Sequence, residues 1–187
     1  MQKKHKIILG IDPGTVIMGY GVILITDNKI QLLETDVVRL SGIKNIFERL
    51  HKIQLTIKEI IDKFHPNEFA IEAPFFGKNV QSMLKLGRAQ GVAIATALAE
   101  GLTVNEYSPK KVKQAVTGNG NADKEQIWKM LQHYLVFEHK PKYYDATDAL
   151  AVALCHHFQS KSISTKRTGK TTWDDFVKAQ PNRVRKK

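Results

Sequence analysis

Lys6-Ile7-Ile8-Leu9-Gly10-Ile11-Asp12-Pro13-Gly14 is a short apolar run that ends on an acid inside a Pro-Gly turn. An apolar run of this length without polar alternation is the pattern of a central strand covered on both faces, and the Pro-Gly pair closes it. The acid is the element out of place, because a carboxylate at the end of a buried strand is costly unless its charge is compensated. The combination recurs at Phe69-Ala70-Ile71-Glu72. Asp145 and Asp148 then stand three residues apart at the start of the apolar segment Ala149 to Leu154. Acids placed in this way imply a shared compensator, and a hard divalent cation is the usual one.

Outward from this run, Gly19 to Ile25 reads as a second strand, Asp27-Asn28 as a hairpin turn and Ile30 to Leu40 as a third strand. Together they form a meander. The period changes over Asn45 to Phe64, where Ile46, Leu50, Ile53, Ile57, Ile60, Ile61 and Phe64 recur at helical spacing. That pattern predicts an amphipathic helix, which Pro66 ends. Glu68 to Glu72 is a fourth strand, Pro74 to Asn79 a loop of aromatic and glycine residues, Val80 to Glu100 a long helix, and Thr103 to Tyr107 a fifth strand. Helices follow over Pro109 to Val116, Ala122 to Val136 and Asp145 to Phe158, with a glycine-containing loop at Thr117 to Asn121. The order predicts an α/β fold, a five-stranded mixed sheet with helices on both faces. Gly87 and Gly91 lie inside the long helix, where each costs about 1 kcal/mol relative to alanine. They imply close approach of another backbone, either within the core or between subunits.

The 187 residues suit one domain, read as residues 1–159, followed by a basic tail over 160–187 biased to Ser, Thr and Lys. No apolar run approaches the roughly 20 residues of a membrane span. The basic N-terminus, Met1 to Lys6, is followed by too short an apolar run for a signal peptide. Cys155 is the sole cysteine. It reads as a small buried hydrophobe, and a reducing cytoplasm is the default compartment. The net charge is +11, and the tail alone carries nine basic residues against Asp174 and Asp175. Such a balance points to a polyanionic partner, most simply DNA or RNA. The tail reads either as a non-specific phosphate contact or, through Trp173-Asp174-Asp175-Phe176-Val177, as a partner-docking segment.

In open α/β sheets, sites form beyond the carboxyl ends of the strands. Asp12 and Glu72 meet there if the first and fourth strands are parallel neighbours. Asp145 and Asp148 share one face at a helix start, where the helix dipole favours an acid. The four could hold two Mg²⁺ ions about 3.5–4 Å apart, one activating water and one stabilising the leaving oxygen. Taken singly, Asp12 is also ordinary turn chemistry, and Asp145 or Asp148 is a possible helix N-cap. Zinc is disfavoured, since the seven histidines form no His-Glu-x-x-His and there is no cysteine pair. No Walker A loop is present either.

Further blocks give the pattern an identity. Gly10-Ile11-Asp12-Pro13-Gly14 with Gly19-Tyr20-Gly21, Ile71-Glu72 with Phe75 and Lys78-Asn79, and Leu86-Gly87 with Ala89-Gln90-Gly91-Val92-Ala93 resemble the RuvC family of bacterial Holliday junction resolvases. So do Val112-Lys113-Gln114, Gly118-x-Gly120-x-Ala122-x-Lys124 and Asp145-Ala146-Thr147-Asp148-Ala149-Leu150-Ala151. The resemblance covers residues 6 to 158 in order, departs from the family pattern at Ala73-Pro74, and has no counterpart for the tail.

The resemblance implies a ribonuclease H-like nuclease domain acting as a homodimer. It implies paired, symmetric nicks in two strands of four-way junction DNA, with Mg²⁺ or Mn²⁺, in recombination and repair in the bacterial cytoplasm. It assigns the catalytic acids to Asp12, Glu72, Asp145 and Asp148 and the functional lysines to Lys113 and Lys124. A junction base would stack on Phe75, with Phe76 the competing candidate, and Lys78 and Asn79 would lie beside the DNA. Contact with the branch-migration proteins RuvA and RuvB is implied as well.

Read alone, Lys113 and Lys124 are also solvated helix residues, and Phe75 is also a core residue. Rival functions are a nuclease of the same fold acting on RNA–DNA hybrids or in transposition, an actin-like ATP-binding protein, and a non-catalytic DNA binder. The actin-like fold normally needs two such halves, and a mere binder would gain by losing its acids.

Overall fold

The computed structural model describes residues 5–27, 29–74, 79–139 and 141–165. Three antiparallel strands, β1 (His5–Asp12), β2 (Ile17–Thr26) and β3 (Lys29–Arg39), form the expected meander. Helix α1 (Ile46–Phe64) crosses to β4 (Glu68–Glu72), and α2 (Val80–Ala99) crosses to β5 (Thr103–Tyr107). Then follow α3 (Pro109–Thr117), α4 (Lys124–Tyr134) and α5 (Tyr144–Thr165). The sheet order is β3-β2-β1-β4-β5, with β4 parallel to β1 and β5 parallel to β4. It is the predicted mixed sheet of a ribonuclease H-like α/β fold.

Strand alternation sends neighbouring residues to opposite faces, and both faces are buried. Leu9, Ile11, Phe69 and Ile71 pack against Ile53, Ile57, Ile60 and Ile61 of α1 and against Ala89, Ala93 and Ala97 of α2. Ile8, Ile23 and Ala70 pack on the other face against α3, α4 and α5. Each fully buried Ile or Leu contributes about 1.5–3 kcal/mol, so the two layers hold the sheet from both sides. The helix limits follow from local chemistry. The Asn45 side chain caps α1 by accepting from the Phe47 amide at 2.8 Å, and His65 ends that helix at φ 47° before Pro66. Asp123 and Gln126 form a capping box at the start of α4. The cap explains why α4 begins at Lys124 rather than at Ala122.

Helix α5 is the central pillar. From Ala149 to Cys155 every residue is fully buried, because the sheet covers one side and α3 and α4 cover the other. It can lie this low because the strands beneath it lack side chains at the crossing. A Cβ on Gly10 would stand 2.3 Å from the Ala149 carbonyl oxygen, and one on Gly19 would stand 1.9 Å from that of Asp145. Below the far end of the pillar, the Tyr107 hydroxyl donates to His156 Nδ1 at 2.7 Å, and His156 Nε2 donates to Glu68. Lys6 pairs with Glu68 at 2.5 Å and donates to the Ser160 hydroxyl at 3.2 Å.

Two expectations need correction. Helix α5 does not stop at Phe158 but runs to Thr165, so the boundary expected after residue 159 falls inside a helix. The weak helix propensity of the serines there does not stop a helix already propagating from a buried core. Among the described residues no other backbone approaches Gly87 or Gly91, since a Cβ at either would meet nothing within 4 Å. The core reading of these glycines therefore fails. Of the expected hairpin turn, Asp27 adopts φ 48°, while Asn28 lies outside the described residues. The described helices include none long and apolar enough to cross a membrane.

Candidate active site

Asp12 ends β1 and Glu72 ends β4. The parallel register pairs Ile11 with Ile71, the residues just before them, so the two carboxylates emerge side by side at the carboxyl edge of the sheet. Helix α5 starts above this edge. Asp145 lies in its first turn and Asp148 one turn further, both inside the helix and neither at its cap. The N-cap reading of these two acids is thereby excluded. Because Gly19 is the register partner of Asp12 and touches the Asp145 carbonyl, the glycine sets the distance between the sheet acids and the helix acids.

The electrostatics record the convergence. Asp12 is pushed up to about 8, by burial first and then by the charges of Glu72, Asp148 and Asp145. Glu72 is pushed up to about 7 by burial and by Asp148, against the opposing pull of Lys113 and Lys124. Burial also raises Asp148, although Lys124 and Lys113 hold it down. Lys124 is held above its ordinary value despite burial, through Asp148, Asp145 and Asp12. Its ammonium pairs with Asp148 Oδ2 at 3.2 Å. Glu72, Lys113, Lys124 and Asp148 line one cavity of about 180 Å³. A larger groove of about 390 Å³, between α1 and α2, includes Lys58 and Glu100 and lies away from the carboxylate cluster.

These residues suit hard divalent cations. The donors are carboxylate oxygens, the ligand type of Mg²⁺ and Mn²⁺, and their raised affinity for protons marks negative charge in need of a counterion. Among the described residues no three such side chains already stand at coordinating distance of a common point. Like-charged carboxylates repel until a cation draws them together, so an approach short of ligation is the physical expectation for a metal-free cluster.

Of the expected site residues, the structure brings Asp12, Glu72, Asp145, Asp148, Lys113 and Lys124 into one region. Asn79 is the N-cap of α2, its side chain accepting from the Ser82 amide at 3.0 Å. Phe75, Phe76 and Lys78 lie outside the described residues.

Three further side chains support the site and carry little signal in the linear pattern. Arg49 donates to the carbonyls of Ile43 at 2.5 Å and Thr15 at 2.9 Å, pinning the loop that follows Asp12. Buried Gln90 donates to Glu106 at 2.8 Å and to the Glu72 carbonyl at 3.4 Å. Its polarity on the inner face of α2, where Ala89, Ala93 and Ala97 are also buried, is a sequence hint. Tyr144 places its ring centroid 5.1 Å from the Lys124 ammonium.

Comparisons with known proteins place the chain in a family. The profile of the family described as crossover junction endodeoxyribonuclease RuvC matches residues 8–156. The chain is 51% identical over 189 residues to such a protein from Porphyromonas gingivalis, covering 99% of this chain and all of that one. It is 51% identical over 180 residues to one from Cytophaga hutchinsonii, covering 96% and 88%. Among solved structures it is similar to Thermus thermophilus RuvC in complex with a Holliday junction substrate. The TM-score is 0.79 at 33% identity, covering 85% of this chain and 97% of that one.

Proposed function

The chain belongs to the RuvC family of crossover junction endodeoxyribonucleases, and from that premise we propose how its site cuts. It is a Holliday junction resolvase, a divalent-metal-dependent nuclease of recombination and repair. The proposal concerns residues and ions. Asp12, Glu72, Asp145 and Asp148 would hold two divalent ions, Mg²⁺ with Mn²⁺ able to substitute. When bound, such a pair activates a water and stabilises the leaving oxygen of a phosphodiester.

The observation that carries the reading is the convergence of Asp12 and Glu72 at one sheet edge against the start of α5, which bears Asp145 and Asp148, with burial and the charges of the other three acids raising the Asp12 carboxyl to about 8. An acid so placed gains most from a cation. Lys113 and Lys124 face the same cavity as Glu72 and Asp148. They are assigned to the scissile phosphate, where a fixed ammonium offsets charge that develops as the bond breaks. Phe75, with Phe76 as competitor, is assigned to stacking on a junction base, worth about 1–3 kcal/mol per base. Lys78 and Asn79 are assigned to the neighbouring backbone, Asn79 in addition to its capping role.

The enzyme acts as a homodimer, since a two-fold junction needs two cuts placed symmetrically. The exposed face of α2 supports a second copy as its occupant. Val80, Leu84 and Leu98 are exposed there, and Gly87 and Gly91 leave open space beside them. A bacterial cytoplasmic location and contact with a RuvA–RuvB complex follow from family resemblance.

The test is a synthetic four-way junction incubated with the protein, with and without Mg²⁺. Paired nicks in opposed strands, dependent on the metal, are expected, and RNA–DNA hybrid should be a poor substrate. Preferential cutting of the hybrid would transfer the site to a different nuclease.

A further inference from the structure

Lys124 occupies an awkward place for a residue that must hold one position. It is the first residue of α4, where the positive end of the helix dipole disfavours a cation. Its side chain is flexible and 57% exposed. A single ion pair to Asp148 at that exposure fixes such a side chain weakly. A second contact completes the cradle. Tyr144 and Asp148 are four residues apart on α5 and so share one helix face. The ammonium lies between them, 3.2 Å from Asp148 Oδ2 and 5.1 Å from the centre of the Tyr144 ring.

Tyr144 is the first residue of α5. The residue is 40% exposed. Its backbone carbonyl accepts the Thr147 hydroxyl at 2.6 Å, so the residue is anchored while its ring faces Lys124.

We propose that Tyr144 is a positioning residue for strand cleavage: its ring and the Asp148 carboxylate together hold the Lys124 ammonium in the acid cluster, ready for the scissile phosphate. The inference rests on the reading that Lys124 serves that phosphate. It acts through a cation–π contact, so the ring matters and the hydroxyl does not.

Single-turnover nicking of a synthetic junction under saturating Mg²⁺, with binding measured separately by gel shift, tests this. An exposed cation–π contact corresponds to a factor of about two to five. Tyr144→Leu should slow nicking by about that factor and leave junction affinity and melting temperature near wild type. Tyr144→Phe should restore most of the rate. Tyr144→Met replaces Leu if the latter melts early. In a Lys124→Ala background the Tyr144→Leu change should cost nothing more. Full additivity of the two changes, or equal loss in the Phe and Leu variants, overturns the proposal. A slow Lys124→Ala with a wild-type Tyr144→Leu overturns the proposal alone. A fully active Lys124→Ala removes the role of Lys124 itself and the proposal with it.

Discussion

Gly19 of β2 lies against the carbonyl oxygen of Asp145 at the start of α5, so closely that a Cβ on the glycine would stand 1.9 Å from that oxygen. Gly19 is also the register partner of Asp12. One missing methyl group therefore sets how near the helix acids come to the strand acids. Gly19→Ala must lift the first turn of α5, and the obstacle is backbone, which cannot rotate away. Overpacking of this kind costs about 1–3 kcal/mol, and displacing catalytic groups by about 1 Å can cost about a hundred-fold in rate. The expected result is a folded protein that binds junctions, melts several degrees lower and nicks at least about ten-fold more slowly. Single-turnover assays across a Mg²⁺ titration measure this, and a wild-type rate would mean that α5 adjusts freely.

Much of this site is legible in the linear chain because its signals are local. Asp12 and Glu72 each terminate an apolar run, and a charge at the end of a buried strand advertises itself without knowledge of its neighbours. Asp145 and Asp148 show themselves by helical spacing. What the chain does not reveal depends on contacts between distant segments. Gly19 reads as a residue of a glycine-rich strand, and only the descent of α5 onto β2 gives it a purpose. Tyr144 reads as one of two tyrosines before an acid, and only the fold of α4 brings Lys124 to its ring. The end of α5 was also hidden, because the serines after Phe158 look like a tail until Ser160 is seen bonded to Lys6. Gly87 and Gly91 mislead in the opposite direction. Close packing is a sound expectation for helical glycines, but it is not met among the described residues of one subunit.

The acid cluster makes the metal-free protein sensitive to pH. The carboxyls of Asp12 and Glu72, ordinarily near 3.8 and 4.5, are raised to about 8 and about 7. The folded state therefore keeps protons that the unfolded chain has already released. Stability that is full below about pH 4 is lost as the pH rises through about 7 and 8. Without divalent ions, the melting temperature should fall from pH 5 to pH 8 by about 2–4 °C for each kcal/mol lost. Mg²⁺ or Mn²⁺ should raise it more at pH 8 than at pH 5, and Asp12→Asn should flatten the metal-free profile. Differential scanning calorimetry with and without EDTA decides this. A melting temperature that climbs with pH in EDTA would contradict the crowding of the acids.

The exposed face of α2 gives a prediction about assembly. On an isolated helix, replacing Gly87 or Gly91 by alanine stabilises by about 0.5–1 kcal/mol. If a second copy packs on this face, a bulky residue blocks it instead. Gly91→Leu should leave secondary structure intact, weaken the dimer at least about ten-fold, which corresponds to about 1.4 kcal/mol, and convert paired nicks into unpaired ones. Light scattering over a dilution series, read beside a nick-pairing assay on a cruciform plasmid, measures both effects. A dimer of undiminished affinity would move the subunit contact to another face.

Asp12→Asn separates binding from chemistry. The amide keeps the shape of the carboxyl at the end of β1 but cannot supply the negative charge that a bound cation would draw from this crowded acid. DNA is held through phosphates by basic groups, and taking one negative charge away from the groove cannot repel it. Junction affinity in EDTA should therefore stay the same or tighten by about two- or three-fold, with the salt dependence unchanged. Cleavage should fall by at least about a thousand-fold, because a ligand to the ions that lower the barrier is gone. Glu72→Gln should behave alike, and neither variant should be restored by raising Mg²⁺ into the tens of millimolar. Gel shifts and single-turnover nicking on one junction preparation supply both numbers. If binding disappeared together with cleavage, Asp12 would be holding the DNA surface in shape rather than holding metal, and the assignment of the strand-end acids to catalysis would have to be withdrawn.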